Sequence, residues 1–201
     1  MTGSRWPQGA APVRRRGPAL ERAILDAALE QLGTVGWNAL TMEGVAAGAR
    51  TGKAALYRRW SSKADLVAEV LSEGLPPLGE IADHGSVRED LYRLCVRMRD
   101  VMRSPAGEAL SAVLHECDPT HAYRFREVIR DGLHGPAQLL IRTLVDRGME
   151  RGDVRPDATN EMITDVIPAL FMYRAKVCGS EWLDGEIAEM IDSLMVPMLR
   201  M

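Results

Sequence analysis

The stretch from Thr41 to Lys63, TMEGVAAGARTGKAALYRRWSSK, leaves few folds open to this chain. Its punctuation sets two short helices around a tight turn of small residues. Thr41 has a side-chain oxygen to cap a first helix, in which Met42, Val45 and Ala46 fall on one apolar face. Gly48-Ala49-Arg50 ends that helix after barely two turns. A second helix, from about Gly52 to Trp60, turns Leu56 inward and carries Lys53, Tyr57 and Arg58 on its outward side. A short helix, a tight turn and a second helix with a polar, basic outer face is how a helix-turn-helix presents side chains to a DNA major groove.

The region from Leu20 to Leu71 resembles the N-terminal domain of the TetR family of bacterial transcriptional regulators. The resemblance rests on features that agree in order and spacing. Ala23-Ile24-Leu25-Asp26-Ala27-Ala28 opens a first helix and Gly33-Thr34-Val35-Gly36-Trp37 closes it. Thr41 starts a second, Leu56-Tyr57 followed by Trp60 ends a third, and Ser62-Lys63 begins a fourth. Two positions depart from the pattern. Arg50 stands where the family turn usually has Gly, and a left-handed backbone there costs an arginine on the order of 1 kcal/mol. Gly52 stands where a Ser or Thr cap is common, and Gly is itself an acceptable cap.

A hydrophobic content of 46% is ordinary for a globular protein, and the low aromatic content of 5%, with Ala, Leu, Met and Arg common, favours an all-α fold. No run of about 18 apolar residues exists to span a membrane, and the N-terminus lacks the apolar core of a secretion signal. Three widely spaced cysteines, Cys95, Cys117 and Cys178, suit reduced thiols in a cytoplasmic protein. The net charge of -3 hides an asymmetry. Through Leu66, Lys and Arg outnumber Asp and Glu ten to five; from Val67 onward acids lead twenty-three to fifteen. A basic head on an acidic body is expected when one end meets polyphosphate, and a merely solvated surface is the plainer alternative.

Punctuation also marks out a helical body. Ser62-Lys63-Ala64-Asp65 and Ser86-Val87-Arg88-Glu89 have capping-box spacing. Ser104-Pro105 and Asp118-Pro119 each offer a cap with Pro in the first turn. Pro76-Pro77 stops one helix, Gly135-Pro136 is expected to kink or divide another, and residues 152–157 form a turn. Two further helices are expected near Asn160 to Val177 and Gly185 to Leu199. The total is about nine helices and no strand. DHGSVREDL, the long kinked helix and GDVRPD are similar, more loosely, to C-terminal domains of the same family. The expected division is a basic tail at 1–18, a three-helix DNA-binding head at 19–66, and an effector-binding and dimerisation body at 67–201.

The resemblance implies roles for particular residues. Thr41, Tyr57 and Lys63 match positions that hold DNA phosphates. Lys53, Ala54 and Ala55 match positions that face base edges, where an ammonium can meet guanine and an alanine methyl can meet thymine. Thr51 and Gly52, at the helix start, complete the expected contact set, and Arg58 lies near the groove wall. Trp60 is expected in the head core. Arg14, Arg15 and Arg16 suit either a minor-groove arm or a solubilising tail.

In the body, Met98, Met102, Phe171, Met172 and Trp182 suit either an adaptable apolar pocket or plain core. His115, Glu116, Cys117 and His121 have no strong metal-ligand spacing, and no metal or cofactor is expected. No catalytic constellation or phosphate-cradling glycine loop is identifiable, so an enzyme is not expected. Met162, Val166, Leu170 and Tyr173, then Ile187, Met190, Ile191 and Leu194, repeat at helical spacing; the resemblance implies that these helices meet a second copy in a four-helix bundle, with positions such as Met190 facing outward, and closure of the chain's own core is the alternative. The expected protein is a homodimeric repressor that binds a double-stranded DNA operator and is released by a small apolar or amphipathic effector. Cysteine or metal sensing, or effector-free organisation of DNA, are the alternatives.

Overall fold

A computed structural model of the chain describes residues 17–158, 160–178 and 181–200. The arginines at 14–16 lie outside them. Among the described residues there is no strand, and no helix is long and apolar enough to cross a membrane.

The head comprises α1 (Pro18–Ala39), α2 (Met42–Gly48) and α3 (Lys53–Tyr57). Gly36, at φ 74°, breaks the helical path near the end of α1. Thr41 caps α2 by accepting the Gly44 N–H at 3.1 Å. Arg50 in the following turn is the one non-glycine residue with positive φ, at 55°, among the described residues. The third helix is shorter than its sequence suggests, ending at Tyr57 and leaving Arg58 to Trp60 in a turn. Ile24, Leu25, Ala28, Val45, Leu56 and Trp60 are buried together as the head core.

The helix α4 (Lys63–Gly74) joins head to body and packs against α1 on one side and α6 and α7 on the other. Ser62 caps it through the Asp65 N–H at 3.1 Å. The body continues with α5 (Val87–Met102), α6 (Pro105–Glu116), α7 (Pro119–Ile129), α8 (Gly135–Arg151), α9 (Glu161–Tyr173), α10 (Asp184–Met190) and α11 (Val196–Leu199). Ser86, Ser104 and Asp118 cap α5, α6 and α7 as their positions predict. The expected break at Gly135-Pro136 takes the form of a π-helical turn, Arg130–His134, so α7 and α8 form one continuous rod. A second π turn, Arg174–Cys178, extends α9, and a third, Ile191–Met195, joins α10 to α11. Counting each joined pair once gives nine rods among the described residues.

One expectation about faces needs correction. Ile187, Met190 and Ile191 are buried in the chain's own core, with Met190 only 5% exposed, so they do not face outward. The large apolar residues that α9, the last helices and their flanks leave in solvent are Met162, Tyr173, Val177, Leu183, Leu194 and Met198. The apolar stripe of α10 closes the body because α5 packs across it.

Candidate nucleic-acid interface and ligand cavity

The outer face of α3 is polar and open. Gly52, Lys53, Ala54, Tyr57 and Arg58 are exposed, Thr51 and Ala55 are half-buried, and Leu56 is fully buried beneath them. Gly52 takes an extended conformation as the cap residue and has no side chain to accept from the first N–H groups of α3. Tyr57 remains 52% exposed, which brings its phenol to the same surface as Lys53. Lys53 forms an ion pair with Glu43 of α2, an acid ten positions earlier that sequence spacing did not single out. The Lys53 ammonium holds the Glu43 carboxyl below the usual range. Arg59, by contrast, turns back onto Glu21 and Glu69.

Lys63 sits differently from the other expected contact residues. Its Nζ donates to the Trp37 carbonyl at 2.7 Å and lies 4.2 Å from the centroid of the Trp37 ring. Burial lowers its pKa, partly countered by the nearby Glu116 carboxylate. One of its three N–H donors is thereby committed to the end of α1. Trp60 is buried as expected, its Nε1 donating to Glu69 Oε2 at 2.8 Å.

The body is hollow. A cavity of about 400 Å³ opens between α5, α6, the α7–α8 rod, α9 and the segment before α10. Met98, Met102, Phe171, Met172 and Trp182 all line it. Three separate segments, α5, α9 and the stretch before α10, bring these five side chains together, with Met98 and Phe171 buried on the inside. Sequence reasoning missed Leu114, Ile129, Leu133 and Pro168, which complete the apolar wall, and Arg99, Ser111, His115 and His134, which add polar groups. The four-residue spacing of Leu110 and Leu114, and of Ile129 and Leu133, could have suggested part of the apolar set; nothing local marks the polar one.

The side chains of the weak metal pattern point to separate tasks. His115 Nδ1 lies 2.7 Å from the Ser111 carbonyl, and Glu116 accepts the Asn38 N–H at 3.2 Å. His121 pairs with Asp118, holding that carboxyl down to about 2. Glu21, Glu69 and Glu73 are the one group of carboxylates close enough to share an ion among the described residues, but Arg59 already pairs with the first two.

A small basic head presenting a helix, a turn and a second helix, set on a hollow helical body, defines a helix-turn-helix regulator. This chain belongs to the TetR family: residues 81–194 match the tetracyclin repressor-like C-terminal domain, and residues 24–70 match the bacterial regulatory proteins of the tetR family. It is therefore a DNA-binding transcriptional regulator and not an enzyme. The chain is 28% identical over 180 residues to the uncharacterized HTH-type transcriptional regulator Rv1556 of Mycobacterium tuberculosis, covering 89% of this chain and 87% of that one. It is 26% identical to the DNA-binding transcriptional repressor TetR of Mycobacteroides abscessus, over 92% and 96% of the two chains. Its fold is similar to that of NalD, the secondary repressor of the MexAB-OprM multidrug efflux pump in Pseudomonas aeruginosa. That structure has a TM-score of 0.62 and 20% identity, over 92% of this chain and 98% of that one.

Proposed function

We propose that this chain is a homodimeric repressor that reads a roughly palindromic operator through α3 and leaves it when a small apolar or amphipathic molecule enters the body. The observation that carries the reading is the pairing of an open, basic α3 surface with a cavity walled in part by α6 and α7, which pack on α4, the helix that also packs on α1 of the head. Repressor activity named for the Mycobacteroides abscessus relative and for NalD supports the same sign of regulation. Residues 19–66 act as the DNA-binding head and 67–201 as the effector-binding and dimerisation body, with 1–18 a basic tail.

Lys53, Ala54 and Ala55 face base edges, and Thr41, Thr51, Gly52, Tyr57, Arg58 and Lys63 contact the phosphate backbone around them. Lys53 must exchange Glu43 for a base, and Lys63 must reach phosphate with the donors that Trp37 leaves free. Dimerisation uses the outward apolar residues Met162, Tyr173, Leu194 and Met198. A ligand in the cavity shifts DNA binding only by favouring one spacing of the two heads over another, and α4 is the lever between them. Metal or oxidant sensing has less to stand on. Burial raises the Cys95 thiol pKa, which disfavours the reactive thiolate, and the histidines near Cys117 are engaged elsewhere.

Selection of bound DNA from a random pool, followed by titration of the selected site, tests this reading. A two-fold site with half-sites near one helical turn, ~34–36 Å, apart is expected. Leu194→Glu should yield a helical monomer that no longer binds the full site. Similar affinity for every sequence would instead make the protein an organiser of DNA.

A further inference from the structure

Among the described residues that line the cavity, one fully buried side-chain donor is left unanswered. Trp182 Nε1 is buried, lines the cavity wall with its ring, and has no hydrogen-bond partner among the described residues. An indole nitrogen only donates, so its complement is an acceptor. The ring is held from several sides. Phe171 stacks on it at 5.1 Å between centroids with an interplanar angle of 22°, and the Arg174 guanidinium lies 4.5 Å from its centroid. Arg174 is itself fixed by Glu186, with Nη1 2.6 Å and Nη2 2.7 Å from the two carboxylate oxygens. Arg99 reaches the Trp182 carbonyl at 3.4 Å. The donor is thus placed by its neighbours and is not a freely turning side chain.

The charged groups around the cavity narrow the ligand further. Arg99 is committed to Asp184, and Arg103 stands 3.7 Å from Glu181 at the exposed rim. Each cation already has its acid. Glu108, also exposed at the rim, disfavours an anionic guest. The remaining wall is mostly apolar, with Met98, Met102, Leu114, Ile129, Leu133 and Phe171 beside three further polar residues, Ser111, His115 and His134, too few for a sugar's many hydroxyls. At about 400 Å³ the space suits a small organic molecule.

We infer that the cavity takes an uncharged, mainly apolar molecule bearing a carbonyl-type oxygen, and that Trp182 Nε1–H donates to that oxygen. This rests on the cavity being the effector site and adds the chemistry of its ligand. Trp182 is then the specificity-determining residue, because a guest of the same shape without the oxygen leaves the buried donor unpaired.

Fluorenone and fluorene, tricyclic probes alike in shape and differing in the carbonyl, test this directly, with fluorene-9-carboxylate as the anionic comparison. Equilibrium dialysis against full-length protein should show fluorenone bound about tenfold more tightly than fluorene. Trp182→Phe keeps an aromatic ring beside Phe171 and removes the N–H together with the rest of the indole's five-membered ring. Whatever the smaller ring does to both affinities, the variant should bind the two within about twofold of each other, and its circular dichroism should match wild type. Equal affinities in wild type, an undiminished fluorenone preference in Trp182→Phe, tighter binding of the carboxylate, or no binding of fluorenone to its solubility limit would each overturn the inference. The wild-type ratio stands even if the variant folds poorly. The same samples titrated with operator DNA separate the two readings. Fluorenone bound through Trp182 with operator affinity unchanged keeps this inference and removes the effector switch. Operator release by fluorene and fluorenone alike does the reverse.

Discussion

The head keeps its charged groups on the outside, whereas the body takes one in and answers it. Lys53 and Arg58 stand in solvent above a core of Leu56 and Trp60, and no charged side chain of the head is fully buried among the described residues. In the body, Asp90 is completely enclosed. It accepts the His84 N–H at 2.8 Å and Arg151 Nη1 at 3.0 Å, with Arg147 Nη1 at 3.6 Å. Asp153 extends the same network, binding Arg151 Nε at 3.2 Å and accepting the Val87 N–H at 2.6 Å. The difference follows from what each part must present. A convex surface that meets polyphosphate needs its cations free to move, while a hollow bundle needs its frame pinned so that the cavity does not collapse.

The sharpest way to break this contrast is Asp90→Ala. It removes the buried acceptor shared by Arg147, Arg151 and the His84 N–H, leaves Arg151 with Asp83 and Asp153, and should cost about 3 kcal/mol in chemical denaturation. A change under 1 kcal/mol would mean that the buried network does not pin the body. On the head, Lys53→Ala should remove about 1–3 kcal/mol of discrimination at particular base pairs, read from selected sites. Lys63→Ala sharpens the comparison because Lys63 lies where the two parts meet. If its role is phosphate binding alone, the salt dependence of operator affinity flattens by about one unit of slope and stability is unchanged. If the Trp37 contact dominates, the protein loses about 1 kcal/mol of stability and the slope stays as it was.

Arg50→Gly should raise stability by about 1 kcal/mol, since glycine adopts positive φ without a Cβ penalty. A drop in stability would show that the arginine side chain stabilises the turn by more than its backbone costs. The smallest expected effect is on pH. The Arg174 side chain, then the Leu183 N–H, hold the Glu186 carboxyl down to about 2 from its usual 4.5. A carboxyl depressed in the folded state stabilises above its unfolded value and loses that contribution as pH falls through the folded one. Protein held between pH 4.5 and 2 should therefore lose stability steadily, and Glu186→Gln should be less sensitive across that window. Identical profiles for the two would dismiss the Arg174–Glu186 clamp as a contributor.

The capping residues were readable because they act on amides two or three positions away. Thr41, Ser62, Ser86, Ser104 and Asp118 each do what their local sequence implies. The order of helices follows from them. Sequence spacing failed where the deciding partner is distant. Periodicity puts Met190 on an apolar stripe but does not say whether α5 or a second copy covers it. Glu43 and Lys53 meet across the turn, and Lys63 and Trp37 meet across most of the head. The Met and aromatic cavity residues were recognisable by type. Arg99, His134 and the unanswered Trp182 donor were not, because their arrangement depends on five elements closing around one space.

The break in α1 at Gly36 has a mechanical corollary. A head carried by α4 alone could both bend and swivel on the body. Glu116, at the end of α6, accepts the Asn38 N–H, and its carboxylate lies 3.1 Å from where a Cβ on Gly36 would stand. Trp37 meanwhile packs edge-on against Phe125 of α7 at 5.1 Å. The end of α1 thus gives the head a second attachment to the body, and together with α4 it restrains the swivel that one connecting helix would allow.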